Sequence, residues 1–335
     1  MQAEASSADE TKASESGVIL LAGATGYLGK HVARTLSRRG YRVLAPVRAS
    51  QSERPALSGV KYLETRLEDG EGLLRLLSTE RLGGVISCLA SRSGAPGDAW
   101  HVDHDLNRNL LSVARRLGAE RFVLLSAICV QKPQLMFQQA KLAFEMELAE
   151  SGVPHVIVRP TAFFKSLSGQ VDRVRRGKPF LLFGDGTLTA CKPISEADLA
   201  RFLVDSLHHE DRLNQILPIG GPGPAVSPRR QGEWLFEAME KPPRFRSVSP
   251  EWFLRAAKGL AVAGRAVPRL RDSAEFARIA HYYATESMLV WDPEAGAYDA
   301  DATPEYGSET LRDHYRRLVR GDAGDQTLGE HRLFR

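Results

Sequence analysis

The chain has 335 residues, 43% of them hydrophobic and 26% charged, with a formal net charge of +4, which is room for one large domain and a smaller one. No apolar run approaches the roughly 20 residues that cross a bilayer, so no integral membrane segment is expected. Three scattered cysteines (Cys88, Cys129, Cys191) without a C-x-x-C pair exclude a disulfide framework and a four-cysteine metal or iron–sulfur cluster. The arginines form no basic stripe with interleaved aromatics, so nucleic acid is not an expected partner.

In chain order, residues 1–16 are polar and carry Glu4, Asp9, Glu10 and Glu15. A transit peptide is poor in acids and a secretory signal needs an apolar stretch. The segment is therefore expected to be a disordered tail on a protein that stays in the cytoplasm. Val18–Ala22 is a continuous apolar run, the mark of a buried parallel strand. It leads into Gly23-Ala24-Thr25-Gly26-Tyr27-Leu28-Gly29, then a helix over Lys30–Arg39 stopped by Gly40, then a strand over Tyr41–Val47. Strand, glycine turn, helix and strand together make a dinucleotide site, because glycines let the backbone approach a pyrophosphate that the helix N-terminus favours. The second strand ends in Arg48 with no acid for the ribose hydroxyls, a pattern that suits the 2′-phosphate of NADPH.

Further strands are expected at Gly84–Leu89, Arg121–Ser126 and Pro154–Arg159, with helices over Asp103–Leu117 and Phe137–Ser151. Such alternation implies an α/β Rossmann-type fold, a doubly wound parallel sheet covered on both faces. Ligands bind beyond the carboxyl ends of the strands. Those ends carry the glycine turn, Arg48, the loop containing Cys88, Leu89 and Ala90, then Ser126, and finally Pro160 and Thr161.

After Thr161 the alternation lapses. Thr189–Ile194 and a helix over Glu196–His208, with Ser195 and Asp198 as a capping pair, are expected to rejoin the sheet domain, as is a strand over Gln215–Ile219. The expected division is a tail at 1–16, a cofactor domain at 17–160 rejoined by 190–222, and a smaller, mostly helical substrate-binding region at 161–189 and 223–335. Tyr282, Tyr283, Trp291 and Tyr298 point to a packed rather than loose C-terminal part.

The pair Phe137 and Lys141 stands where a short-chain dehydrogenase keeps Tyr-x-x-x-Lys, with phenylalanine in place of the proton-donating tyrosine. The strings SCLASRSG, DAWHVDHDLN, LLSAICVQKP, FQQAKLAFE, IVRPTAFFKSLSGQV, GKPFLLFGDGTLTACKPIS, LPIGGPGPA and YYATESMLVWDPEAGAYDADATPEYGSETLRDHY span most of the chain. They closely resemble the NADPH-dependent divinyl chlorophyllide a 8-vinyl reductases, atypical members of that superfamily. The resemblance implies reduction of a tetrapyrrole's vinyl group to ethyl in chlorophyll or bacteriochlorophyll synthesis. With the acidic N-terminal segment and the scattered cysteines, the expectation is a cytoplasmic protein of a bacterial phototroph, with loose membrane association as an option because the product pathway ends there. One departure is Arg66, at a place where related dehydrogenases carry an aspartate near the adenine.

A vinyl group has no oxygen to protonate, so loss of the tyrosine is compatible with this reaction and awkward for an alcohol dehydrogenase. Lys141 is the leading catalytic candidate: the resemblance implies that it contacts the nicotinamide ribose, as the superfamily lysine does, and relays a proton, with a solvated helix lysine as the other reading. Ser126 either bonds near the nicotinamide or simply forms a turn. Phe137, Phe163, Phe164, Phe180 and Phe183 are candidate walls for a flat macrocycle, with core packing as the other reading of each. Phe163 is also a candidate cofactor contact. Arg173 and Arg176 belong to a basic run that either pairs the substrate propionate or is a solvated helix face. Two other functions remain open: another tyrosine-less reductase resembling the isoflavone-reductase-like enzymes, and a non-enzymatic NADPH-binding sensor or assembly factor.

Overall fold

The computed structural model describes residues 17–50, 54–264, 267 and 269–321; the expected tail over 1–16 lies outside the described residues. Seven strands form one sheet: β1 (Val18–Ala22), β2 (Val43–Val47), β3 (Val60–Glu64), β4 (Leu82–Ser87), β5 (Phe122–Leu125), β6 (His155–Pro160) and β8 (Gln215–Ile219). Their order is β3-β2-β1-β4-β5-β6-β8. The pairings β1 with β2, β1 with β4, β2 with β3, β4 with β5 and β5 with β6 are all parallel. All five residues of β1 are buried, as its unbroken apolar run requires when both faces of the sheet are covered.

The chain divides into two compact units, the first made of Met1–Val130, Met136–Arg159 and Leu199–Leu217. Its core runs along the strands and the helices that cover them, with Leu20, Val85, Leu110, Phe122, Phe144 and Leu148 at 0% exposure. Several boundaries differ from expectation. The first helix starts at Tyr27 rather than Lys30, because Gly26 already serves as the N-cap of a turn beginning at Gly23. β2 starts at Val43 rather than Tyr41: the buried Tyr41 ring stacks on His208, and its hydroxyl lies 2.7 Å from His208 Nε2. The helix expected over Asp103–Leu117 is preceded by a π turn over Trp100–Asp105 and is α-helical over Leu106–Arg116.

The second unit comprises Gln131–Leu135, Pro160–Asp198 and Pro218–Arg335. It holds a parallel pair, β7 (Phe180–Phe183) with β9 (Phe245–Val248), and an antiparallel pair, β10 (Val290–Asp292) with β11 (Ala297–Asp299). Its longer helices cover Pro228–Ala238, Glu251–Ala263, Arg269–Thr285 and Leu311–Arg320. The segment Thr189–Ile194 forms only isolated bridges at Cys191 and Ile194, since Pro193 has no N–H for a ladder. Ser195 caps the helix Glu196–Asp205 by accepting the Asp198 amide at 3.0 Å. The Asp198 carboxylate accepts the amides of Ser308 and Glu309, a structural role. In the C-terminal part Tyr282 is 2% exposed and Trp291 meets Tyr298 edge-on at 4.9 Å.

Candidate functional site

The glycine turn is a cradle that only glycine permits. Gly23 has φ +79°, and a Cβ there would stand 2.8 Å from the Cys88 carbonyl oxygen. A Cβ on Gly29 would stand 2.0 Å from the Gly23 carbonyl oxygen. The Gly26 amide closes the turn on Gly23 O at 2.9 Å. No side chain caps the twelve-residue helix Tyr27–Arg38, and its first turn holds no acid. Its N-terminal amides and partial positive charge therefore face an anion-sized approach. Thr25 and Tyr27 are half-buried beside this turn, whereas Leu28 points into the core at 6% exposure. These residues fit a dinucleotide pyrophosphate.

Arg48 is exposed immediately beyond the C-terminal end of β2, where a ribose phosphate would lie. Beyond β4, the Cys88 amide donates to Ala22 O at 3.0 Å, which ties this loop to the glycine turn. Burial pushes the Cys88 thiol up to about 12, although the residue as a whole is only part-buried. That shift favours the neutral thiol over the nucleophilic thiolate. Leu89 is half-buried and Ala90 exposed.

Phe137 and Lys141 lie one turn apart on the helix Met136–Glu150, and Phe137 is half-buried. Lys141 is not a solvated surface lysine. Its side chain is 11% exposed, and Nζ lies 2.9 Å from Oδ1 of Asp103, whose side chain is 0% exposed. Asp103, Asn107, Leu124, Leu125, Ser126, Lys141 and Phe144 line one small recess. Ser126 is 5% exposed at the end of β5, and its Oγ is buried with no partner among the described residues. Asn107 donates to the Asp103 carbonyl at 3.0 Å and accepts from the Ser87 hydroxyl. The structure therefore brings Lys141 and Ser126 together and adds two polar residues, Asp103 and Asn107, that no spaced motif marks. A signal for both exists. Asp103, Asn107, Leu110 and Ala114 recur at helical spacing, so two polar residues sit on a stripe that must otherwise be buried.

The remaining candidates lie in the second unit. Pro160 and Thr161 are buried, and Thr161 donates to the Lys192 carbonyl while its amide donates to Ile219 O at 2.9 Å. Phe163 is half-buried and N-caps the short helix Phe164–Leu167. Phe164 and Phe180, at 0% and 3% exposure, are core residues packed with Val174, Leu235, Phe236 and Tyr315. Of the two readings of these rings, pocket wall or core packing, their burial supports core packing. Phe183 is half-buried and meets Phe253 edge-on at 5.6 Å. Arg173 donates through Nε to Pro179 O at 2.8 Å, so it braces its own turn, whereas Arg176 is exposed at the end of the helix Val171–Arg175. Among the described residues no group of acids, histidines and cysteines is arranged to hold a metal ion.

A family model described as NAD(P)H-binding matches residues 23–210. The chloroplastic divinyl chlorophyllide a 8-vinyl-reductase of Zea mays is 45% identical, over 94% of this chain and 82% of the maize protein. Its namesake in Arabidopsis thaliana is 45% identical over 93% of this chain and 79% of its own length. Among solved structures, the ternary complex of leucoanthocyanidin reductase from Vitis vinifera aligns with a TM-score of 0.67 at 16% identity. That alignment covers 91% of this chain and 100% of the other, and speaks for the fold alone. The expectation of a cytoplasmic bacterial location is overturned by the two reductases, both of which are chloroplastic proteins. The acids of residues 1–16 were a compositional argument only, and it does not stand against identity over nearly the whole chain. Among the described residues no helix is long and apolar enough to cross a membrane.

Proposed function

Because the chain belongs to the divinyl chlorophyllide a 8-vinyl-reductase family, we propose that it is an NADPH-dependent oxidoreductase acting on a carbon–carbon double bond. It reduces the 8-vinyl group of divinyl chlorophyllide a, or of divinyl protochlorophyllide, to ethyl in chlorophyll or bacteriochlorophyll synthesis. The observation that carries this reading is 45% identity sustained over 94% of the chain.

Bound NADPH supplies the hydride, and the protein supplies position, electrostatics and one proton. The glycine turn and the N-terminus of Tyr27–Arg38 would receive the pyrophosphate, and Arg48 would pair the 2′-phosphate. Lys141 would hold the nicotinamide ribose. Reduction of the vinyl group adds one hydride and one proton across the double bond. The negative charge that develops spreads over the conjugated macrocycle, so no oxyanion has to be met by a phenol. Phe137 would accordingly serve as an apolar wall of the site rather than as a proton donor. The proton reaches the carbon next to the ring from the Lys141 ammonium or from water held near the Ser126 hydroxyl. Most of the rate then comes from holding two carbons at near-attack distance.

The test is anaerobic incubation of the purified protein with divinyl chlorophyllide a and NADPH, followed by absorbance and chromatography. Conversion of vinyl to ethyl with no other protein present is the expected result. NADPH binding without conversion of any divinyl tetrapyrrole would reject the reading in favour of a sensor. Turnover of small phenolic substrates alone would reject it in favour of another tyrosine-less reductase.

A further inference from the structure

The buried pair between Lys141 and Asp103 is not accounted for by the fold or by the reaction as described. Two charges withdrawn from water cost several kcal/mol each before their attraction offsets it, and an apolar pair of similar volume would fill the recess at lower cost. The pair is also incompletely satisfied. Asp103 Oδ1 takes both the Lys141 ammonium at 2.9 Å and the Ser91 amide at 3.2 Å. Its Oδ2 is buried with no partner among the described residues. A carboxylate kept in that state is poor design for stability and good design for holding a cation.

Its surroundings are built to fix it. Asp103 belongs to the π turn Trp100–Asp105, and such wide turns re-aim a side chain relative to a continuous α-helix and gather at functional sites. The backbone of that turn is held from the next helix, where Asn107 donates to Val102 O at 3.3 Å and to Asp103 O at 3.0 Å. Asn107 is in turn oriented by the Ser87 hydroxyl at the end of β4. One carboxylate thus ties the Lys141 ammonium to the loop after β4, the same loop whose Cys88 amide is bonded to the strand leading into the glycine turn.

We propose that Asp103 is the positioning residue for Lys141: it holds the ammonium in place, and without it Lys141 neither grips the cofactor nor assists turnover. The inference rests on the role given to Lys141 above. Asp103 touches neither substrate nor cofactor and acts through the lysine.

The test is a double-mutant cycle on the full chain with Asp103→Asn, Lys141→Ala and the two combined. NADPH dissociation constants are read from quenching of tryptophan fluorescence, which needs no substrate, and turnover of divinyl chlorophyllide a is measured beside them. Asp103→Asn is expected to weaken NADPH and lower turnover by about tenfold each in the wild-type background, and by less than about twofold when Lys141 is already alanine. Asp103→Glu should recover part of the loss. If the two single losses multiply in the combined variant, or Asp103→Asn behaves as wild type while Lys141→Ala is defective, the inference fails and the role of Lys141 survives. If Lys141→Ala leaves NADPH affinity and turnover intact, both fail. The apolar replacement Asp103→Leu with Lys141→Met guards against a folding artefact. It should keep the melting temperature within a few degrees while losing NADPH affinity, and retention of wild-type affinity would overturn the proposal.

Discussion

The two units of the chain use buried polarity and aromatic mass in opposite ways. In the first, short local motifs set the candidate residues at strand ends, and buried polar groups converge on one recess: Asp103, Asn107, Ser126 and Lys141. In the second, the residues chosen for their aromatic or basic character are largely spent on the fold. Phe164 and Phe180 are core and Arg173 braces a turn. The first unit's candidates are thus polar groups that share a recess, whereas the second unit's buried phenylalanines are packing. Polar side chains enter a core only when something holds them there, whereas a phenylalanine needs no reason beyond area.

This contrast can be broken by substitution. The largest effect is expected for Phe164→Ala in the second unit, a loss of about 3–5 kcal/mol of stability, checked by denaturant unfolding. Preserved stability with lost activity would return Phe164 to the pocket. Next is Gly29→Ala in the first unit, where the added methyl would collide with the Gly23 carbonyl. NADPH affinity should fall by roughly ten- to a hundredfold, measured by fluorescence titration. Arg48→Glu should weaken NADPH by about tenfold or more while leaving NADH little changed; an equal loss of both would make Arg48 a support of the fold.

Smaller still is Arg176→Ala, expected to raise KM for chlorophyllide about threefold with kcat unchanged, as for an exposed ion pair. Constant KM and kcat would place the propionate anchor elsewhere. The smallest effect is a pH dependence of the second unit. Burial holds the His314 imidazole below its ordinary 6.5, against a raising influence of Glu196 and with a lowering one of Arg317. His314 lies 3.2 Å from the Ser168 hydroxyl and packs against Phe164. A depressed folded value means that the neutral form is favoured by folding. Its contribution is present above pH 6.5 and is lost as pH falls through the folded value, by at most about 1.4 kcal/mol per pH unit. The melting temperature should therefore fall more steeply below pH 6.5 in the wild type than in His314→Gln.

How much was legible follows the range over which each signal acts. β1 and β8 have the bounds that their apolar runs predict, Val18–Ala22 and Gln215–Ile219. β3 and the helix Gly70–Leu77 were not anticipated: the burial of β3 is only partial, so its sequence carries no unbroken apolar run. Lys141 was found because a spaced motif marks it. Asp103 was not, because nothing local distinguishes a buried aspartate from a solvated one on a helix rich in charge. Only its recurrence with Leu110 and Ala114 on one stripe hinted at burial.

The sequence by itself determined the doubly wound fold, the glycine cradle for a nicotinamide dinucleotide and the absence of a phenolic acid at Phe137. These depend on neighbours within one turn or one strand. Tertiary structure alone decided that Lys141 is paired with Asp103 rather than solvated, that Ser126 faces the same recess, and that Phe164 and Phe180 are core. Each of these is a contact between residues distant in the chain. Burial, which sets the worth of a charge or a ring, exists only after the strands have been ordered side by side.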